Sequence, residues 1–98
     1  MADEGHFFEK YGLVYILECS DKSFYAGITN NLKLRLAEHN TGKGALWTRI
    51  RRPVKLVYAE QNTDKAHARK REIEIKGWRR EKKTNLFLSD INILNHLK

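Results

Sequence analysis

The chain has 98 residues, which is room for one domain and one core, and its only cysteine, Cys19, excludes an intramolecular disulfide. Lysine and arginine number 19 against 12 aspartates and glutamates, and the formal charge of +7 points to a polyanionic partner. No window reaches the roughly 20 apolar residues of a membrane span, and Met1 to Glu9 lacks the basic-then-apolar order of a secretory signal. A cytoplasmic monomer that makes no membrane contact is the expectation.

From the N-terminus, Tyr11 to Cys19 alternates and is rich in Tyr, Val, Ile and Leu, so it reads as a strand. Tyr11, Leu13, Tyr15 and Leu17 share one face; Gly12, Val14, Ile16 and Glu18 share the other. Cys19 ends this apolar run and reads as a small buried hydrophobe. Ser20-Asp21-Lys22 is turn chemistry, and Ser23 to Ile28 is a second strand, which makes a hairpin. If Cys19 pairs with Ser23, Tyr15 lies opposite Gly27, Tyr25 lies opposite Leu17, and both tyrosines share a face. A two-residue loop at Asp21-Lys22 would place them on opposite faces.

Thr29, Asn30 and Asn31 offer N-caps for a helix from about Leu32 to Asn40. Its core stripe is Leu32 and Leu36, and Arg35 and His39 stand four apart on a neighbouring face, so both can reach one site. Gly42-Lys43-Gly44 is too short for a phosphate-binding P-loop and reads as a basic loop facing nucleic acid. A short helical turn near Ala45 to Thr48 precedes Pro53 and a third strand, Val54 to Glu60, with Val54, Leu56 and Tyr58 toward the core. Asn62 or Thr63 caps a second long helix to about Lys76, with Gly77 as its stop. Ala68, Glu72 and Ile75 share its inner stripe, so Glu72 is an acid that needs a cation, either an arginine or a metal. The apolar residues from Leu86 to Leu97 suggest a further packing helix capped by Ser89 or Asp90. The architecture is α+β: a three-stranded antiparallel sheet flanked by helices, with a core over about 11–83 and a packing segment over 84–98.

Two basic clusters flank this arrangement. Lys43, Arg49, Arg51 and Arg52 lie in the first, with Lys55; Arg69, Arg71 and Lys76 lie in the second. These residues are candidates for backbone phosphate contacts, because no base-reading element stands out. Trp47 and Trp78 are candidates to stack on bases, Trp78 with the stronger claim on the core.

The segments Leu13-Val14-Tyr15-Ile16-Leu17, Tyr25-Ala26-Gly27-Ile28-Thr29, Leu36-Ala37-Glu38-His39-Asn40, Thr48-Arg49-Ile50-Arg51-Arg52-Pro53 and Arg71-Glu72-Ile73-Glu74-Ile75-Lys76 together resemble the GIY-YIG nuclease domain, in its small stand-alone bacterial, YhbQ-like branch. The resemblance runs from about Gly12 to Lys83 and implies a divalent-metal-dependent DNA endonuclease. It implies that Tyr15 activates or positions the attacking water and that Tyr25 is a second phenol at the site. It further implies that Arg35 holds the scissile phosphate, that His39 assists proton transfer, and that Glu72 is the single protein ligand of Mg²⁺ or Mn²⁺. Gly27 is the structural glycine of the second motif. Ile28 stands where several family members carry lysine, and Asn85 is the nearest residue to an asparagine some of them use.

Each residue alone has a plainer reading. Strand tyrosines pack, Arg35 can pair with Glu38, His39 can sit on a helix dipole, and Glu72 can pair with Arg69 or Lys76. A non-catalytic nucleic-acid-binding module with the same basic surface is the alternative function, and a partner-docking role for Leu86 to Lys98 is a third.

Overall fold

A computed structural model describes residues 12–96. The expectations for Met1 to Tyr11 and for the last two residues lie outside that range. Strand β1 (Leu13–Glu18) is the middle of a three-stranded antiparallel sheet, between β2 (Phe24–Thr29) and β3 (Lys55–Gln61). Its run of large apolar side chains is explained by that position: Leu13 through Leu17 are each 2% exposed or less, because both faces of β1 are covered. On one face Val14 and Ile16 pack with Ala68 and Ile75 of helix α3 (Lys65–Lys76) and with Leu86 and Phe87 of α4 (Arg80–Phe87). On the other, Tyr15 and Leu17 pack with Leu32 and Leu36 of α1 (Leu32–Asn40) and with Ile93 and Leu94 of a closing 3-10 turn (Ile93–His96).

The hairpin takes the register that places both tyrosines on one face, Tyr15 opposite Gly27 and Leu17 opposite Tyr25. Its three-residue loop is closed by Cys19 N–H to Ser23 O at 2.8 Å, and Lys22 adopts the left-handed conformation (φ 71°) that such loops require. Asp21 accepts from Ser23 N–H and Oγ and pairs with Arg51, which fixes the loop.

Three expectations are corrected. Val54, Leu56 and Tyr58 do not share a face. Leu17 pairs with Leu56 but Ile16 pairs with Tyr58, so Val57 is an extra residue, a β-bulge. The bulge sends Val54 and Leu56 to the Tyr15 face and Tyr58 to the opposite one. Helix α3 is capped by Asp64, which accepts from His67 N–H at 2.8 Å, and not by Asn62 or Thr63. Asn62 is held to the sheet instead, donating to Gly12 O and to Glu60.

The C-terminal apolar residues, finally, do not form a helix capped by Ser89 or Asp90. The helix lies earlier, as α4, and the chain then closes through the buried Asn92. The Asn92 carboxamide accepts from Ala59 N–H and Leu94 N–H and donates to Val57 O and Phe87 O. A side chain bonded to so many backbone groups competes with helix formation. It also covers part of edge strand β3.

No helix among the described residues is long and apolar enough to cross a membrane. Asn92→Ala would leave the Ala59 N–H and Val57 C=O without these partners. It is expected to lower unfolding free energy by about 2–4 kcal/mol, read as a lower urea midpoint at unchanged slope.

Candidate active site

Tyr15 is the centre of the site. Its ring crosses the sheet over Gly27, where a β-carbon would lie 2.6 Å from the phenol oxygen, so only glycine leaves room for the ring. The buried hydroxyl then needs partners, and α1 supplies both. Arg35 Nε–H donates to it at 3.3 Å, and His39 Nε2 lies 2.8 Å away. Arg35 and His39 are one helical turn apart, which brings both to one atom. Tyr25 stands beside them, its ring centroid 6.5 Å from that of Tyr15 and 5.2 Å from the imidazole.

The imidazole is wholly buried and bonded at both nitrogens. Its Nδ1 is 2.7 Å from Thr48 Oγ1, in the short helix α2 (Leu46–Arg49), and Thr48 Oγ1 donates to Ala45 O at 3.0 Å. The threonine proton is thereby used, so Nδ1 carries the hydrogen on the imidazole side. The Tyr15 oxygen accepts from Arg35, so its own proton goes to Nε2. The bonds form a directional chain: Arg35 to Tyr15 to His39 to Thr48 to the Ala45 carbonyl. Gly44 lies against the imidazole, and a β-carbon there would come within 2.8 Å of His39 Cγ. This loop glycine therefore seats the histidine, which its reading as part of a basic loop did not foresee.

Burial pushes the Tyr15 phenol up to about 12, against the opposing hydrogen bond and charge of Arg35; Tyr25 and Glu72 add to the rise. Burial, followed by the Arg35 charge, holds His39 below its ordinary 6.5, so the imidazole is neutral at pH 7.

Glu72 comes from α3, on the opposite face of the sheet. Its side chain is 8% exposed and lies 3.1 Å from Lys76 Nζ and 3.8 Å from Arg69 Nε. Lys76 Nζ in turn lies 5.8 Å from the centroid of the Tyr25 ring. No group of three or more His, Cys, Asp or Glu among the described residues could hold a metal. A lone carboxylate suits a hard cation that keeps waters and phosphate oxygens as its other ligands, and not a protein-only cage.

The basic candidates separate into two groups. Lys43 and Arg49 are exposed, as is Arg69, whose side chain is 67% accessible. Arg52 is exposed but donates to Arg49 O and Asn40 O. Arg51 is held by Asp21, the Trp47 carbonyl and the face of the Trp47 ring. Arg71 is held by Glu60 and Glu74 beside Trp78, and Glu60 also takes the Tyr58 hydroxyl. Nε and Nη1 of Arg51 and of Arg71, both candidates for phosphate contact, are engaged within the fold. Asn85, on α4, is exposed.

The GIY-YIG catalytic domain matches residues 11–85 of this chain. A UPF0213 protein of Staphylococcus haemolyticus is 49% identical over 73 residues, covering 74% of this chain and 89% of the relative. A UPF0213 protein of Bacillus pumilus is 44% identical over 93 residues, covering 95% and 88%. The solution structure of a protein from E. faecalis is 34% identical with a TM-score of 0.56, covering 91% of this chain and 90% of that one. That of a UPF0213 protein from Bacillus halodurans is 42% identical with a TM-score of 0.50, covering 78% and 81%.

Replacing Thr48 by valine keeps the shape and removes the acceptor for Nδ1–H. Long-range nitrogen–proton NMR is expected to show His39 as the Nδ1–H tautomer in the parent and to lose that single signature in Thr48→Val. An unchanged tautomer in the variant would contradict the donor directions given above.

Proposed function

The chain belongs to the GIY-YIG nuclease family, and on that premise we propose that it is a divalent-metal-dependent endonuclease that hydrolyses DNA by in-line attack of water. The observation that carries this reading is the directional hydrogen-bond chain from Arg35 through Tyr15 to a neutral His39. A phenol pushed up to about 12 is a poor base by itself at neutral pH. Bonded to a neutral imidazole, it can act as a relay. As water attacks phosphorus, its proton passes to the Tyr15 oxygen while the Tyr15 proton passes to His39 Nε2. The resulting imidazolium keeps its Nδ1–H bond to Thr48. Burial, followed by the Arg35 charge, disfavours the imidazolium, so the proton returns through Tyr15 and the site resets.

Arg35 uses Nε on Tyr15 and Nη1 on Glu38; Nη2 takes part in neither bond and is the atom offered to a non-bridging phosphate oxygen. Tyr25 closes the wall beside the relay. Glu72 would hold the cation, Mg²⁺ or Mn²⁺, which when bound polarises the phosphate and stabilises the leaving oxygen. Ile28 leaves the strand without a local lysine, and Lys76 places an ammonium next to Tyr25 from α3 instead. Lys43, Arg49, Arg52 and Arg69 supply backbone attraction around the site.

The test is cleavage of duplex, nicked, branched and single-stranded DNA in Mg²⁺, Mn²⁺ or chelator. Glu72→Gln and Arg35→Lys are each expected to lose about 10²–10³ in rate, since lysine cannot reproduce the planar fork. A Glu72→Gln protein that cuts like the parent would overturn the metal-ligand role. DNA binding without cutting in any metal would favour the alternative, a binding module in which Lys76 and Arg69 permanently neutralise Glu72.

A pH profile gives an independent check. The relay needs unprotonated His39, so the rate falls on the acid side with a midpoint below 6.5. Folding stability moves the same way. With the folded-state value depressed, the contribution is whole above the unfolded value and is lost as pH falls through the folded one.

A further inference from the structure

Beside the site, along edge strand β2, runs an open groove of about 370 Å³ lined by Phe24, Tyr25, Trp47, Lys76 and Lys83. That volume is at the small end of the range for small-molecule pockets. Two of its lining residues, Tyr25 and Lys76, also stand at the candidate site, so the groove adjoins that site at the sheet edge. We propose that this groove is a subsite for the unstacked base of a nucleotide adjoining the cleaved bond, with Trp47 as its stacking platform. This assignment rests on the nuclease reading above and names the substrate feature that the site selects.

Three observations carry it. Trp47 is 45% exposed, yet it is held in place as few surface indoles are. Its Nε1–H donates to Ser23 Oγ at 3.3 Å, and the Arg51 guanidinium lies 3.5 Å from its ring centroid. Arg51 is itself anchored to Asp21, to which Ser23 Oγ also donates. An aromatic face fixed in advance loses little freedom on binding, and every base has a π-face to meet it.

The lining also pairs aromatic walls with cations. Lys76 and Lys83 line the groove beside the aromatic side chains, which is the charge complement of a nucleotide and not of an apolar peptide. Finally, the base must leave its stack to enter. That step is easiest where the strand is already unpaired, at a flap, gap or single strand. The groove therefore biases the enzyme toward unpaired DNA.

The test uses the full chain in chelator, with a Trp78→Phe background that leaves Trp47 as the sole tryptophan of the two. Its fluorescence is titrated with oligothymidylate, with a tetrahydrofuran (abasic) strand of equal length and charge, and with duplex DNA. Saturable quenching by oligothymidylate, and little by the other two, is expected. In the otherwise unaltered chain, Trp47→Leu should weaken oligothymidylate binding by about 5- to 100-fold, while Trp47→Tyr retains it and neither changes binding of the abasic strand. Equal quenching by the abasic strand or the duplex, or a Trp47→Leu protein that binds oligothymidylate like the parent, would overturn the subsite.

Cleavage by the parent in Mn²⁺ is followed in parallel. Cutting without base-dependent quenching rejects the subsite and leaves the nuclease standing. Base-dependent quenching without cutting in Mn²⁺ or Mg²⁺ supports the subsite and rejects the nuclease.

Discussion

The hydroxyl of Tyr15 lies in the middle strand of a sheet covered on both sides, and a buried phenol oxygen must be hydrogen-bonded. Both of its partners, Arg35 and His39, come from α1. That requirement fixes how α1 sits on the sheet as firmly as Leu32 and Leu36 do. The imidazole, buried in turn, needs a partner for its second nitrogen, which brings in Thr48 and so places α2. Packing and chemistry therefore do not compete here. The groups that would move a proton are the groups that dock the helices, and no buried side-chain polar atom among the described residues is left without a partner.

Much of this was legible in the sequence because it follows from short-range periodicity. The β-branched and aromatic run from Tyr11 to Cys19 gave the strand and turn residues gave the hairpin. Parity left Tyr15 and Tyr25 on one face or on opposite faces according to a three- or two-residue loop, and the fold takes the first. The four-residue spacing of Arg35 and His39 joined them to one site. What was illegible depends on contacts across the fold. A bulge at Val57 has no local signature, so Leu56 and Tyr58 were read onto one face. The buried carboxamide of Asn92 turned an apolar helix-like pattern into a closing turn. Thr48 opens a family-like segment, but nothing in its neighbours says that its hydroxyl meets a histidine nine residues earlier. Gly44 was read only as part of a basic loop and lies against the His39 imidazole. Arg51 and Arg71 are folded against carboxylates, which a sequence showing only their charge does not reveal.

The basic surface is correspondingly less uniform than its composition. Arg71 neutralises two carboxylates and lies beside Trp78, and Arg51 fastens a loop and an indole. Such arginines hold other side chains still. Lys43, Arg49 and Arg69, by contrast, face solvent. Lys76 belongs to both groups: it pairs with Glu72 and stands over Tyr25. A cation that the strand lacks at Ile28 thus reaches the second tyrosine from a helix on the far side of the sheet, so the same local charge can arise from a different place in the chain.

The turn that ends the described chain gives the domain an asymmetry of its own. The family match stops at residue 85, yet Ile93 and Leu94 pack into the cluster that holds Tyr15, and Asn92 is stitched to β3. The segment outside the family match thus packs beneath the phenol at the centre of the candidate site. The unit that carries the chemistry and the unit that folds have different borders.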